Sequence, residues 1–78
     1  MARDVLLTDL GIGNAARIVS VDVNGNRGRR LEALGLVTGT SIRVIRKAPL
    51  GDPLEYELRG TRLCLRSQDA RHIHVEIE

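Results

Sequence analysis

A chain of 78 residues leaves room for one small domain, taken as residues 1–78. With no Phe or Trp, and Tyr56 as the only aromatic, its core has to come from Val, Ile, Leu and Ala; 42% hydrophobic and 28% charged residues exclude a disordered chain. Cys64 is alone, which excludes an internal disulfide, and no run of about 18 apolar residues is present to span a membrane.

The opening "MARDVLLTDL" has an apolar run too short for a signal peptide, interrupted by Asp4 and Asp9, so a cytoplasmic location without direct membrane insertion is expected. Thr8 is placed to cap a short turn. "ARIVSVDV" (16–23) is dominated by β-branched residues and predicts a strand with a bulge near its end. "NGNRG" (24–28) is turn chemistry, and "LEALGL" (31–36) predicts a short helix. If Gly35 is left-handed, Leu31 and Leu36 make the apolar contact of a Schellman cap, and Leu31, Leu34 and Leu36 count as core.

"SIRVIRK" (41–47) alternates until Ile45, as a strand covered on both sides does. "LEYELR" (54–59) directs Leu54, Tyr56 and Leu58 inward, and Gly60-Thr61 reads as a type II′ hairpin turn. "RLCLR" (62–66) buries Leu63 and Leu65, Ser67 caps one helical turn, and "HIHVEIE" (72–78) ends the chain with Ile73, Val75 and Ile77 inward. Five short strands without βαβ spacing must curl to bury one apolar face. The expected fold is mainly β, an SH3-like small barrel of about five antiparallel strands with one short helix between the first and second.

The net charge is +2, and eleven of the twelve basic residues are Arg, dispersed among acids. Only 27–30 and 43–47 look like clusters. Single-strand binders stack bases on aromatic side chains, and here the one candidate points inward, so no nucleic acid is expected as a partner. A nucleic-acid-binding small barrel stays as an alternative function, as does a metal-responsive, self-associating module.

The segment between the second and third predicted strands, "APLGDP" (48–53), is longer than a minimal hairpin. Pro49 fixes φ, Gly51 permits reversal, Asp52 bonds nearby N–H groups and Pro53 keeps Asp52 extended. It is a turn between strands, or a turn that also touches a partner. The candidate partner surface is Pro49, Leu50, Gly51, Asp52 and Pro53 with Arg46 and Lys47, and secondarily Arg27, Arg29 and Arg30.

His72 and His74 fall on one outward face, with Cys64 outward on the preceding strand. These are transition-metal ligand types without a metal spacing, and they form a long-shot site where none is expected. "GIGNAARI" lacks the third glycine of a dinucleotide fingerprint, and "GNRGRR" lacks the Lys-Ser/Thr of a phosphate loop. No catalytic residues and no cofactor are assigned.

Arg30-Leu31, Leu34-Gly35-Leu36, Gly39, "APLGDP", Arg59-Gly60, Leu65-Arg66, Ala70 and Ile73-His74-Val75 occur together in order and spacing. In this the chain resembles the ferrous iron transport protein A (FeoA) family over essentially its whole length. It departs at Ile12, Val37, Thr61 and Cys64. The resemblance implies an SH3-like barrel that is not an enzyme. It further implies a cytosolic accessory of ferrous iron uptake that acts on the large membrane transporter carrying a cytosolic GTPase-like domain, whether by docking on that domain, by changing nucleotide turnover or by organising the transporter's assembly. Weak homo-oligomerisation is compatible with this.

Overall fold

The computed structural model describes residues 3–77. Among them, β1 (Arg3–Leu6), β2 (Ala15–Val21), β3 (Ser41–Lys47), β4 (Leu54–Leu58), β5 (Thr61–Leu65) and β6 (Ile73–Ile77) form one antiparallel sheet. Its order is β1-β6-β2-β3-β4-β5. Helix α1 (Gly25–Ala33) connects β2 to β3, the short helix α2 (Ser67–Ala70) connects β5 to β6, and a 3-10 turn (Leu7–Asp9) follows β1.

The five expected strands are present and the architecture is mainly β as anticipated; Glu78 lies outside the described residues. The added strand is β1, whose four residues include two charges and carry no strand signal of their own. Its partner is β6, at the opposite end of the sequence, with Val5 opposite Val75. Thr8 is not a cap: Leu6 holds the N-cap position of the turn without a side-chain bond, and the Leu10 N–H donates to the Leu7 carbonyl at 3.2 Å. The turn delivers Leu7 and Leu10 to the core.

Two irregularities shape the sheet. Between β2 and β6 the register slips between Ile18 and Ser20, which is the bulge expected late in that strand. Between β3 and β4 it slips between Val44 and Arg46, so Ile45 breaks alternation because it is the extra residue of a bulge. Bulges increase strand twist, and a twisted sheet can close one apolar face around a common core.

That core takes Ala16 and Ile18 from β2, Ile42 and Val44 from β3, Leu54, Tyr56 and Leu58 from β4, Leu65 from β5, and Ile73 and Val75 from β6. Leu63 is half-buried against it, whereas Ile77, expected inside, is exposed near the end of β6.

α1 starts at Gly25, within the segment expected to be a turn, and ends as expected. Gly35 has φ 98°; its N–H donates to Glu32 O at 2.9 Å and the Leu36 N–H to Leu31 O at 3.1 Å. These two bonds are the Schellman pattern, and they turn Leu31 and Leu36 into the core. Leu34 does not follow them: it is 48% exposed, because the cap turns the chain inward just beyond it.

The β4–β5 hairpin closes through Arg59-Gly60, with Leu58 opposite Thr61. Both loop residues have positive φ, 52° and 75°. The turn is therefore type I′, one residue earlier than expected, and its twist matches that of the flanking strands.

Candidate functional site

The loop 48–53 spans the gap between β3 and β4 with the anticipated limits. It is closed by its own backbone: the Gly51 N–H donates to Ala48 O at 2.7 Å and the Ala48 N–H to Pro53 O at 3.0 Å. Pro49, Leu50 and Gly51 stand out from the sheet, Leu50 being 97% exposed. Asp52 turns the other way. Its carboxylate accepts from the Ser67 N–H at 2.9 Å and the Ser67 hydroxyl at 3.2 Å, so it holds the start of α2. Ser67 is thus the capped residue and not the cap, and the N-cap position is Arg66.

Arg46 and Lys47 close β3. The Arg46 Nε lies 3.1 Å from Glu55 Oε1, and Arg62 Nη1 lies 3.8 Å from Glu55 Oε2. This exposed lattice holds the outer faces of β3, β4 and β5 in register, each pair contributing at most about 1 kcal/mol. Arg46 is therefore engaged within the chain.

The helix start meets the loop at one place. Arg27, Arg30 and Leu31 of α1 and its C-cap Leu34 face Pro53 of the loop, Cys64 and Leu65 of β5, Arg66, and Gln68 and Asp69 of α2 across a groove of about 500 Å³. Its floor is the buried pair Leu31 and Leu65, and exposed Leu34 and Pro53 are on its walls. An ion pair between Arg27 and Asp69 crosses it. Arg30 and Arg66 have no carboxylate partner among the described residues.

Of the ten residues put forward as a partner surface, the groove collects Pro53, Arg27 and Arg30. Arg29 turns to the other side of α1, within 3.4 Å of Asn26, beside Val21, Val23 and Glu32. Arg46, Lys47, Leu50 and Gly51 do not line the groove. Leu34, Cys64, Arg66 and Gln68 were not among the residues put forward as a partner surface, since only the docking of α1 over β5 gives them a common location.

Cys64 is exposed on β5, and three strands, β4, β3 and β2, separate it from β6 in the sheet order. His72 precedes β6 instead of sharing its outward face, and its carbonyl accepts from the Asp22 N–H at 2.8 Å. His74 Nε2 lies 3.1 Å from Asp22 Oδ2. The ladder thus keeps Cys64 apart from the two histidines, and among the described residues no group of three or more His, Cys, Asp or Glu could hold a metal ion. Tyr56 is buried, and burial raises its phenol well above the ordinary tyrosine value. Among the described residues no helix is long and apolar enough to cross a membrane.

A family model described as the FeoA domain matches residues 5–77. The chain is 38% identical over 71 residues to the Fe(2+) transport protein A/Fe(2+) transporter FeoB fusion protein of Porphyromonas gingivalis. That match takes in 91% of this chain but 8% of the fusion protein, so the chain spans a small part of that relative's length. Among solved structures, the FeoA protein of Chlorobium tepidum matches with a TM-score of 0.88 and 41% identity, over 94% of this chain and 70% of that one. FeoA of Stenotrophomonas maltophilia, a procaryotic SH3 domain protein solved with zinc, matches with a TM-score of 0.78 and 35% identity, over 91% and 88% of the two chains. The curled antiparallel sheet is SH3-like, and the chain belongs to the FeoA domain family, which is associated with ferrous iron transport.

Proposed function

We propose that this chain is a non-catalytic, cytoplasmic accessory of ferrous iron uptake that acts by direct contact with a FeoB-type membrane transporter, through the transporter's GTPase-like domain. The observation that carries this is the P. gingivalis relative, in which transport protein A and transporter FeoB form one polypeptide. Fusion keeps two modules at high effective concentration, which favours partners that work in contact. The groove between α1 and β5 supports the same reading, since it offers paired apolar and cationic groups and no nucleophile–base arrangement. The test is a titration of the isotope-labelled chain with the cytosolic domain of the FeoB-type transporter from the same organism. Saturable shifts at residues 27–34 and 62–69 support the proposal; no shifts at high concentration overturn it.

The zinc in the S. maltophilia structure favours a second reading, metal-responsive self-association. An ion here would draw donors from two molecules, for instance through the exposed Cys64 or the Asp22–His74 pair. Sedimentation with and without Zn(II) distinguishes the two: a monomer in both conditions removes the second.

A further inference from the structure

The groove lies at the C-terminal end of β5, next to the strand's free edge, and is not confined to one of its faces. It touches Cys64, which points outward, together with Leu65, which points into the core. Successive side chains of a strand alternate in direction, so a cavity lined by both is not confined to one face and opens at the strand's end. β5 is the terminal strand of the sheet on this side, and among the described residues no other strand pairs with it there. The hairpin decides which backbone groups are free. In a two-residue hairpin the residues flanking the loop, here Leu58 and Thr61, form a hydrogen-bonded pair, and such pairs alternate along the ladder. Thr61, Leu63 and Leu65 therefore direct N–H and C=O toward β4, while Arg62 and Cys64 direct theirs away from it, Cys64 at the mouth of the groove.

We propose, resting on the functional reading above, that the free edge of β5 receives an extended segment of the transporter's cytosolic part as an added strand. The segment is about four or five residues long, with acidic and apolar side chains in alternation. Chemistry on both faces of β5 selects this occupant. On the outer face the added strand meets Arg62, Cys64 and Arg66, and across the groove stands Arg30. Arg30 and Arg66 lack an internal carboxylate among the described residues, and Arg27 has only Asp69. On the inner face it meets half-buried Leu63 and the exposed side of Leu34. Carboxylates belong on one side of the incoming strand and aliphatic groups on the other. A second copy of β5 fits poorly: antiparallel self-pairing about Cys64 sets Arg62 opposite Arg66 twice, and like charges directly opposite are destabilising.

The test uses the full chain and the transporter's cytosolic part, comparing the parent with the double variant Arg30→Glu, Arg66→Glu, and following amide hydrogen exchange at Arg62 and Cys64. Both substituted residues are exposed, so the variant is expected to keep the parent's amide spectrum. The expected result is a loss of affinity of about tenfold or more, with a weaker salt dependence, and slowed exchange of both amides on binding by the parent. Binding by the parent with unchanged affinity in the variant, or with no protection of the two amides, overturns the edge-strand proposal while leaving the accessory function standing. Absence of binding by the parent overturns the accessory function itself. Slowed exchange at Arg62 and Cys64 in the isolated chain, rising with its own concentration, overturns the proposal in favour of a second copy.

Discussion

The carboxylate of Asp52 holds Ser67 by two hydrogen bonds, 2.9 Å from its N–H and 3.2 Å from its hydroxyl. A loop between β3 and β4 thereby fixes the start of the short helix that leads into β6, next to the wall of the groove formed by Gln68 and Asp69. Within one six-residue loop the two ends do different work. Leu50 stands in solvent, and Asp52 is structural.

Asp52→Ala removes acceptors from the first turn of α2. A lost helix cap costs about 1 kcal/mol. In a domain of this size that lowers the melting temperature by about 4–8 °C, which calorimetry would detect. Leu50→Ala, at an exposed position without internal contacts to lose, is expected to leave the melting temperature unchanged. A double variant of the two residues would confound folding with binding.

Leu31 and Leu34 occur three apart on one helix but are energetically unlike. Leu31→Ala empties a core position and is expected to cost about 2–5 kcal/mol in urea unfolding. Leu34→Ala leaves stability within about 0.5 kcal/mol, since half of the side chain is already in water. A large loss at Leu34 would mean that the helix packs differently from the arrangement described here.

Gly28 is inside α1, where alanine is ordinarily favoured by about 1 kcal/mol. Here a Cβ would stand 2.0 Å from the carbonyl oxygen of Val23. Backbone cannot yield as a flexible side chain does. Gly28→Ala is therefore expected to destabilise by about 1–3 kcal/mol, against helix propensity, with the amide shifts of residues 23–28 moving most.

Tyr56 supplies the pH dependence. Its folded-state pKa lies above its unfolded value, so the folded chain holds the proton more tightly. Its contribution is fully present below the ordinary tyrosine value of about 10 and is lost as pH rises beyond it. As the only tyrosine, it reports cleanly by the ultraviolet absorbance of its phenolate. Ionisation is expected to coincide with alkaline unfolding; a phenolate that forms while circular dichroism stays native would contradict the burial.

Much of the fold was legible because its signals are local. Alternation marked β4, β5 and β6, the Leu31–Gly35–Leu36 spacing marked the Schellman end of α1, and the prolines bounded the loop 48–53. Signals that depend on distant chain were not legible. β1 is a strand because β6 pairs with it, and α1 begins early because Gly28 lets it wrap close to Val23. The hairpin turn fell one residue from its expected place, since either Arg59-Gly60 or Gly60-Thr61 satisfies the local pattern and only the ladder register decides between them.

The candidate site divides in the same way. The sequence by itself determined which residue types are available: arginines near the start of α1, a stiff loop holding Asp52 and Pro53, a lone cysteine on a basic strand, and an ordered set of motifs marking the FeoA family. The tertiary structure decided which of them meet. Side-chain alternation follows from backbone geometry and can be counted along the chain, whereas proximity across a groove depends on how sheet and helix dock. That docking brings Arg30 toward Arg66, spends Asp52 on Ser67, separates Cys64 from His74, and leaves one edge of β5 open.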